Sequence, residues 1–292
     1  MRISLLPFAL LLLLALTGCS ARHLIVQGMA SELAAQGQAP EDDLVLAREA
    51  SAFYLKLSEA LLREVPDNLP LSEAVATGFT QYAYAFVAFE AERLDNQDAK
   101  AAQALRVRAA HLYWRAHRHA MDALERAQPG FRQALESQRP ADWPQLQAAQ
   151  VGLAYWAAAS WGGFISLSKD QPDSVADLPL AVRLAQQAYA LQPGYGQGAL
   201  AGLMGSFEAA RPGGSAAQAL LYFDQAITLG GQHNAGPWVA KAESVALPSA
   251  DRAAFEALLK QALKVAATHP DMQNAVMRER ALWLLGTADD LF

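Results

Sequence analysis

The sequence predicts an all-α protein of antiparallel helical hairpins with degenerate tetratricopeptide-like repeats, an α-solenoid or bundle. Three observations carry this. From Glu41 onward apolar residues recur at spacings of three and four, with hardly any run of the β-branched residues that favour strands. Proline or glycine breaks the pattern at short intervals, at Pro66, Pro129-Gly130, Pro140, Pro172, Pro193, Gly213-Gly214, Gly230-Gly231, Pro248 and Pro270. Connections that short place successive helices side by side and antiparallel. Small residues also recur as a repeat: Ala181, Ala185 and Ala188 precede Pro193, and Ala219, Phe223 and Ala226 precede Gly231 at matching offsets. The step from one set to the next exceeds an ideal repeat of about 34 residues by the turn Pro212-Gly213-Gly214-Ser215. Ala116, Ala120 and Ala123 fit a third time without the breaker.

Composition bounds the rest. With 292 residues, 53% hydrophobic and 18% charged, the chain is too apolar for a disordered protein and can bury a core. A net charge of −6, with no Lys/Arg run longer than two, lacks the footprint that nucleic-acid binding needs. Nucleic acid is not an expected partner.

Residues 1–18 read as a lipoprotein signal peptide: Arg2 is the positive end, Ile3 to Leu16 is almost wholly apolar, and Leu16-Thr17-Gly18-Cys19 resembles a bacterial lipobox. The apolar stretch is shorter than the roughly 20 residues that span a bilayer as a helix. Cleavage before Cys19 leaves that cysteine as the lipidation site. It is the sole cysteine, so no intramolecular disulfide can form and stability must come from packing. Several acyl chains on Cys19 would hold a soluble body to a membrane. Ser20 in place of an Asp points to the periplasmic face of the outer membrane. Residues 19–40 read as a lipidated tether with a frayed first helix, and 41–292 as a single helical domain.

Within that domain Glu41-Asp42-Asp43 puts negative charge at the start of a helix that runs to about Val65. Pro66-Asp67-Asn68 stops it. The second helix, from about Pro70 to Leu94, carries Phe79, Tyr82, Phe86 and Phe89 at steps of three, four and three, an aromatic stripe expected to stack in the core. A third runs from about Gln97 to Arg126. Shorter helices are expected at about 131–137, 143–168, 179–192, 197–209, 215–229, 236–246, 249–268 and 271–286.

Enzyme signatures fail. There is no His-Glu-x-x-His, Gly-x-Ser-x-Gly or phosphate-binding loop. Gly194, Gly196, Gly198 and Gly202 have the wrong spacing for a dinucleotide loop and follow no strand, so they read as an inter-helix turn. His111, His117 and His119 share one helix but not one face, so neither a metal site nor a cofactor is expected, and no catalytic residue is assigned. Glu90 with Glu92, and Asp289 with Asp290, read as solvated charge or caps.

The strongest binding candidate is the segment Tyr155 to Phe164, where Tyr155, Trp156, Trp161 and Phe164 alternate with small residues around Gly162-Gly163. Aromatic walls separated by small residues can form an apolar groove; helix–helix packing is the other use of the same residues, and the commoner one. Lys241 and Asn274 are polar residues in otherwise apolar helices. They are candidate orienting contacts, or surface residues and caps.

In order, Tyr155-Trp156-x-x-Ala159-x-Trp161-Gly162, Ser166 to Asp170, Val175 to Pro179, Ala188-x-x-Leu191-x-Pro193-x-Tyr195, Phe223-x-x-Ala226, Lys241, Asp251-Arg252-x-x-Phe255, Asn274-Ala275 and the terminal Asp289 to Phe292 resemble the T component (TatT) of tripartite ATP-independent periplasmic (TRAP) transporter systems. The resemblance spans most of residues 41–292 and is densest after 150. It implies a lipoprotein of cryptic tetratricopeptide-like fold, a homotrimer with pores, and a periplasmic TRAP substrate-binding protein as partner. It also implies transfer of a small apolar or organic-acid ligand. At 236–244 the sequence departs from the family's usual Tyr-Ala-Glu run. A helical-repeat scaffold for outer-membrane or cell-wall assembly is the competing function.

Overall fold

The computed structural model describes residues 25–35, 41–231 and 233–292, and among these every regular element is helical. Helix α1 covers 25–35. Then come α2 (Leu44–Glu64), α3 (Leu69–Ala83), a π-helical turn (Tyr84–Ala88), α4 (Phe89–Leu94), α5 (Ala99–Ala127) and α6 (Phe131–Glu136). The middle of the chain forms α7 (Val151–Ser166), α8 (Pro172–Ala176), α9 (Leu178–Leu191), α10 (Ala199–Ala210) and α11 (Ala216–Gly230). The chain ends with α12 (Gly236–Lys241), a second π turn (Ala242–Ala246), α13 (Arg252–Thr268), α14 (Met272–Gly286) and α15 (Ala288–Leu291). The signal segment and Cys19 lie outside the described residues. None of the described helices is long and apolar enough to cross a membrane.

Local chemistry sets the helix starts. Asp43, Asn68, Asp98, Ser215, Asp251 and Asp271 each accept a backbone N–H from the first turn of the helix they precede. Each such cap contributes about 1 kcal/mol. Asp43, expected as helix-start charge, takes the N–H groups of Val45 and Leu46.

The longer helices pack against the next long helix in the chain, with the short α4, α6 and α8 passed over: α3 packs on α5, α5 on α7, α7 on α9, α10 on α11 and α13 on α14. Small residues make this possible. All nine repeat positions, from Ala116 to Ala226, are completely buried at these helix contacts. Phe131, Leu124, Leu153, Leu184 and Leu200 fill the largest core, between α5, α7, α9 and α10. The row of helices then bends back, because α14 touches α2 and its Arg280 reaches Glu92 of α4.

Three expectations are corrected. Residues 143–147 are not helical, and Ala148–Gln150 form only a 3-10 turn before α7: Pro144 disfavours the helical conformation at Trp143, whose indole N–H donates to the Ser137 carbonyl at 2.9 Å. Helices α8 and α15 have no counterpart among the expected elements. The aromatic stripe does not stack as one row, because the π turn Tyr84–Ala88 inserts an extra residue and rotates the helix beyond it. Phe79 therefore packs toward His119, while Phe89 packs edge-on against Trp283.

Candidate functional site

A cleft of about 990 Å³ opens between α1, α2 and α3, with Ala149 and Met272 at its margin. Tyr54, Leu55, Leu69, Tyr82 and Phe86 supply its larger apolar surfaces, and alanines of α1, α2 and α3 leave the space between them. Glu73 is among its lining residues. Its helix turns Leu71, Val75 and Phe79 fully inward and leaves Glu73 half-buried at the edge of that face.

Glu73 is held against α7 through the absence of a side chain. A Cβ on Gly152 would stand 2.1 Å from the Glu73 Oε1, so only glycine at this position lets the carboxyl lie against the α7 backbone. The Tyr195 hydroxyl donates to Oε1 at 2.7 Å. Burial raises the Glu73 pKa above the ordinary carboxylate range, and the tyrosine bond offsets this only in part. Burial, reinforced by the neighbouring carboxylate, also pushes the Tyr195 hydroxyl above the ordinary tyrosine range.

Behind Tyr195 stand two of the aromatics singled out in the sequence. The rings of Tyr155 and Tyr195 lie 5.3 Å apart, and Trp156 meets Tyr155 edge-on at 4.8 Å. Burial raises the Tyr155 hydroxyl to about 12.

Trp161 and Phe164 face elsewhere. Six residues at 100° each carry Trp161 about 240° around the helix from Tyr155, toward α5. There Trp161 lies 4.4 Å from the ring of His117, and Phe164 4.9 Å from that of Trp114. His117 donates through Nδ1 to the Ala157 carbonyl at 3.1 Å. Burial holds the imidazole down at about 4, so it is neutral. Trp161 is 6% exposed. Its indole N–H reaches no acceptor in bonding geometry, yet it partly offsets the rise that burial imposes on Asp177. Gly162 and Gly163 admit close neighbours: a Cβ on either would fall 2.8 Å from the ring of Phe207 or of Tyr113, respectively.

The two polar candidates sit away from this cleft. Lys241 pairs with Asp224 of α11 at 2.5 Å. Asn274 is buried and spends its side chain on main chain: it accepts from Ala235 N–H at 2.9 Å and donates to the carbonyls of His233 and His269 at 2.8 and 2.9 Å. It clamps the α11–α12 and α13–α14 loops together. Thus, of the six candidates, only Tyr155 and Trp156 join the aromatic group around Tyr195, the hydrogen-bond partner of Glu73, and none of the six lines the cleft itself.

Two charged clusters carry no signature in the sequence. Glu59 on α2 is bound by Arg115 (Nε, 2.6 Å), Lys56 (2.7 Å) and His119 (2.9 Å). Burial alone would raise its pKa, but hydrogen bonds from these three bring it down to about 2. Arg280 bonds Glu243 at 2.6 and 2.9 Å and Glu92 at 2.9 Å, so Glu92 is an ion-pair partner and not merely solvated charge. Asp289 likewise pairs with Arg252 at 2.6 Å. The glycines 194–198 form an inter-helix turn. Gly198 has φ of +87°, and a Cβ there would strike the Ala226 carbonyl oxygen at 2.4 Å.

Comparison with known proteins adds the family. The chain is 29% identical over 265 residues to a protein of Treponema pallidum (strain Nichols) described as uncharacterized, covering 86% of this chain and 81% of that one. Residues 40–292 match the family model of the TRAP transporter T-component. The chain therefore belongs to the TRAP transporter T-component family.

Proposed function

We propose that this protein is a periplasm-facing lipoprotein accessory component of a TRAP transport system. In this reading it docks the periplasmic substrate-binding protein and holds a small ligand in the cleft that Glu73 lines. The single observation that carries the reading is the family match across the helical body, residues 40–292. The cleft supplies the chemistry such a role needs, a space large enough for a small organic molecule whose wall combines apolar side chains with polar groups, the half-buried Glu73 among them. Tyr155, Trp156 and Tyr195 act as the wall that positions Glu73.

Acylated Cys19 anchors the body to the periplasmic face of the outer membrane, and the protein works by binding and docking, without catalysis. Its association with other chains, including a homotrimer, is supported by the outward face of α2. There Val45, Leu46 and Phe53 are 69%, 53% and 73% exposed, an apolar surface that favours a protein partner.

A pull-down from native periplasm with mature protein lacking Cys19, with mass spectrometry of the recovered proteins and extracted small molecules, tests the reading. Recovery of a TRAP-type substrate-binding protein is expected. Recovery of outer-membrane or cell-wall assembly proteins alone would move the function to a scaffold.

A further inference from the structure

We propose that the cleft between α1, α2 and α3 selects a cationic ligand with an apolar body, an organic amine or ammonium compound whose nitrogen pairs with Glu73. This rests on the reading of the cleft as the ligand site and specifies what enters it. Among the described residues, the ionisable acids and bases that line the cleft, tyrosine hydroxyls apart, are all acids: Glu41, Asp67 and Glu73. No described lysine, arginine or histidine faces it.

The neighbouring cations are committed elsewhere. Arg115 and Lys56 are held by Glu59, and Arg126 donates to the Pro66 carbonyl at 3.3 Å. Glu73 keeps a neutral hydroxyl as its hydrogen-bond partner, with the burial penalty on its charge only partly offset. A carboxylate buried without a counter-charge is unfavourable, and a cation arriving beside it relieves that penalty as it binds. An organic anion meets the opposite field, three carboxylates with no counter-cation among the described lining residues. This sets the cleft against the organic-acid ligand that the family resemblance implies, while retaining the apolar body.

The remaining wall fits that body. Leu55, Leu69 and Phe86 offer apolar contact, and Ala47, Ala50 and Ala74 leave room beside them. A second cleft of about 860 Å³, on the other side of Tyr82 and Phe86, is different in kind, because Arg48, Arg93 and Arg278 line it together with acids.

The test compares two probes of equal chain length, octylamine and octanoate, by calorimetric titration of the mature chain lacking Cys19 at about pH 8, where the amine is protonated and the acid ionised. Octylamine is expected to bind and octanoate to fail. Glu73→Gln, with an unchanged melting temperature, should weaken the amine about tenfold or more, the loss of one charge-assisted contact. Ala50→Trp, which fills the cleft, should abolish amine binding. Equal or tighter binding of octanoate, both probes being blocked by Ala50→Trp, overturns the charge selectivity and leaves the cleft as the ligand site. Binding of either probe that survives Ala50→Trp, or binding of neither, overturns the proposal and counts against the cleft itself.

Discussion

Tyr195 and Glu73, 122 positions apart in the chain, share a 2.7 Å hydrogen bond at the wall of the cleft between α1, α2 and α3. The bond joins the turn before α10 to the face of α3, and it depends on a third helix, since Gly152 of α7 must lack a side chain for the carboxyl to lie there. One glycine thus controls whether the acid is tucked in or turned out.

Gly152→Ala tests that control. The new Cβ would displace a flexible carboxyl end, and alanine favours the helix by about 0.5–1 kcal/mol, so stability should change by no more than about 1 kcal/mol. The Glu73 pKa should instead fall toward its ordinary value as the side chain moves toward solvent. Carboxyl-carbon NMR titration reads this directly. A Glu73 titration identical to wild type would show that the pocket against α7 does not set its environment.

Glu59 predicts how the fold responds to acid. Its pKa is lowered from 4.5 to about 2, so its stabilising effect is present above the unfolded value and is lost as pH falls from about 4.5 toward 2. Glu59→Gln should lower the denaturation midpoint at neutral pH and flatten its decline across that window. Urea midpoints measured from pH 2 to 6 give the answer. A parallel curve for the variant would remove Glu59 from the acid response.

Trp161→Ala should behave as a core truncation. The ring is buried against His117 on α5, so a loss of about 3–5 kcal/mol in unfolding free energy is expected. Probe affinity for the Glu73 cleft should not change once the protein is folded. Retained stability together with lost binding would place Trp161 in the ligand site after all.

Arg280 ties the end of the helical row to its beginning. Its guanidinium is buried, paired with Glu243 and Glu92, and lies 5.3 to 5.9 Å from the ring centres of Phe89, Tyr84 and Trp283. Arg280→Met leaves Glu243 beside an apolar group and should cost about 3–5 kcal/mol. Glu92→Gln should cost less, because that carboxylate is partly exposed. Chemical denaturation of both variants ranks them, and equal losses would contradict this ordering.

Helix positions were legible because proline, glycine and capping Asp or Asn mark their ends, and buried alanines at three and four spacing mark their contacts. The two π turns were not, since one inserted residue barely alters the apolar pattern around Tyr84 or Glu243 while redirecting everything beyond it. Tyr155 and Trp156 could be chosen from their setting of small residues. Separating them from Trp161 and Phe164 required the angular phase of α7 relative to its neighbours. Glu73 was invisible because nothing local distinguishes it: its environment comes from Gly152 and Tyr195, brought from distant parts of the chain. Asn274 is legible only as a polar residue in an apolar helix, and its role as a loop clamp depends on carbonyls that the sequence does not place.

Docking, the centre of the proposed function, is open to calorimetric titration of the mature protein lacking Cys19 with the purified substrate-binding protein of its own TRAP system. Saturable association with both the loaded and the empty partner is expected, at affinities in the micromolar range or tighter. No association with either form at high micromolar concentration would contradict the docking role.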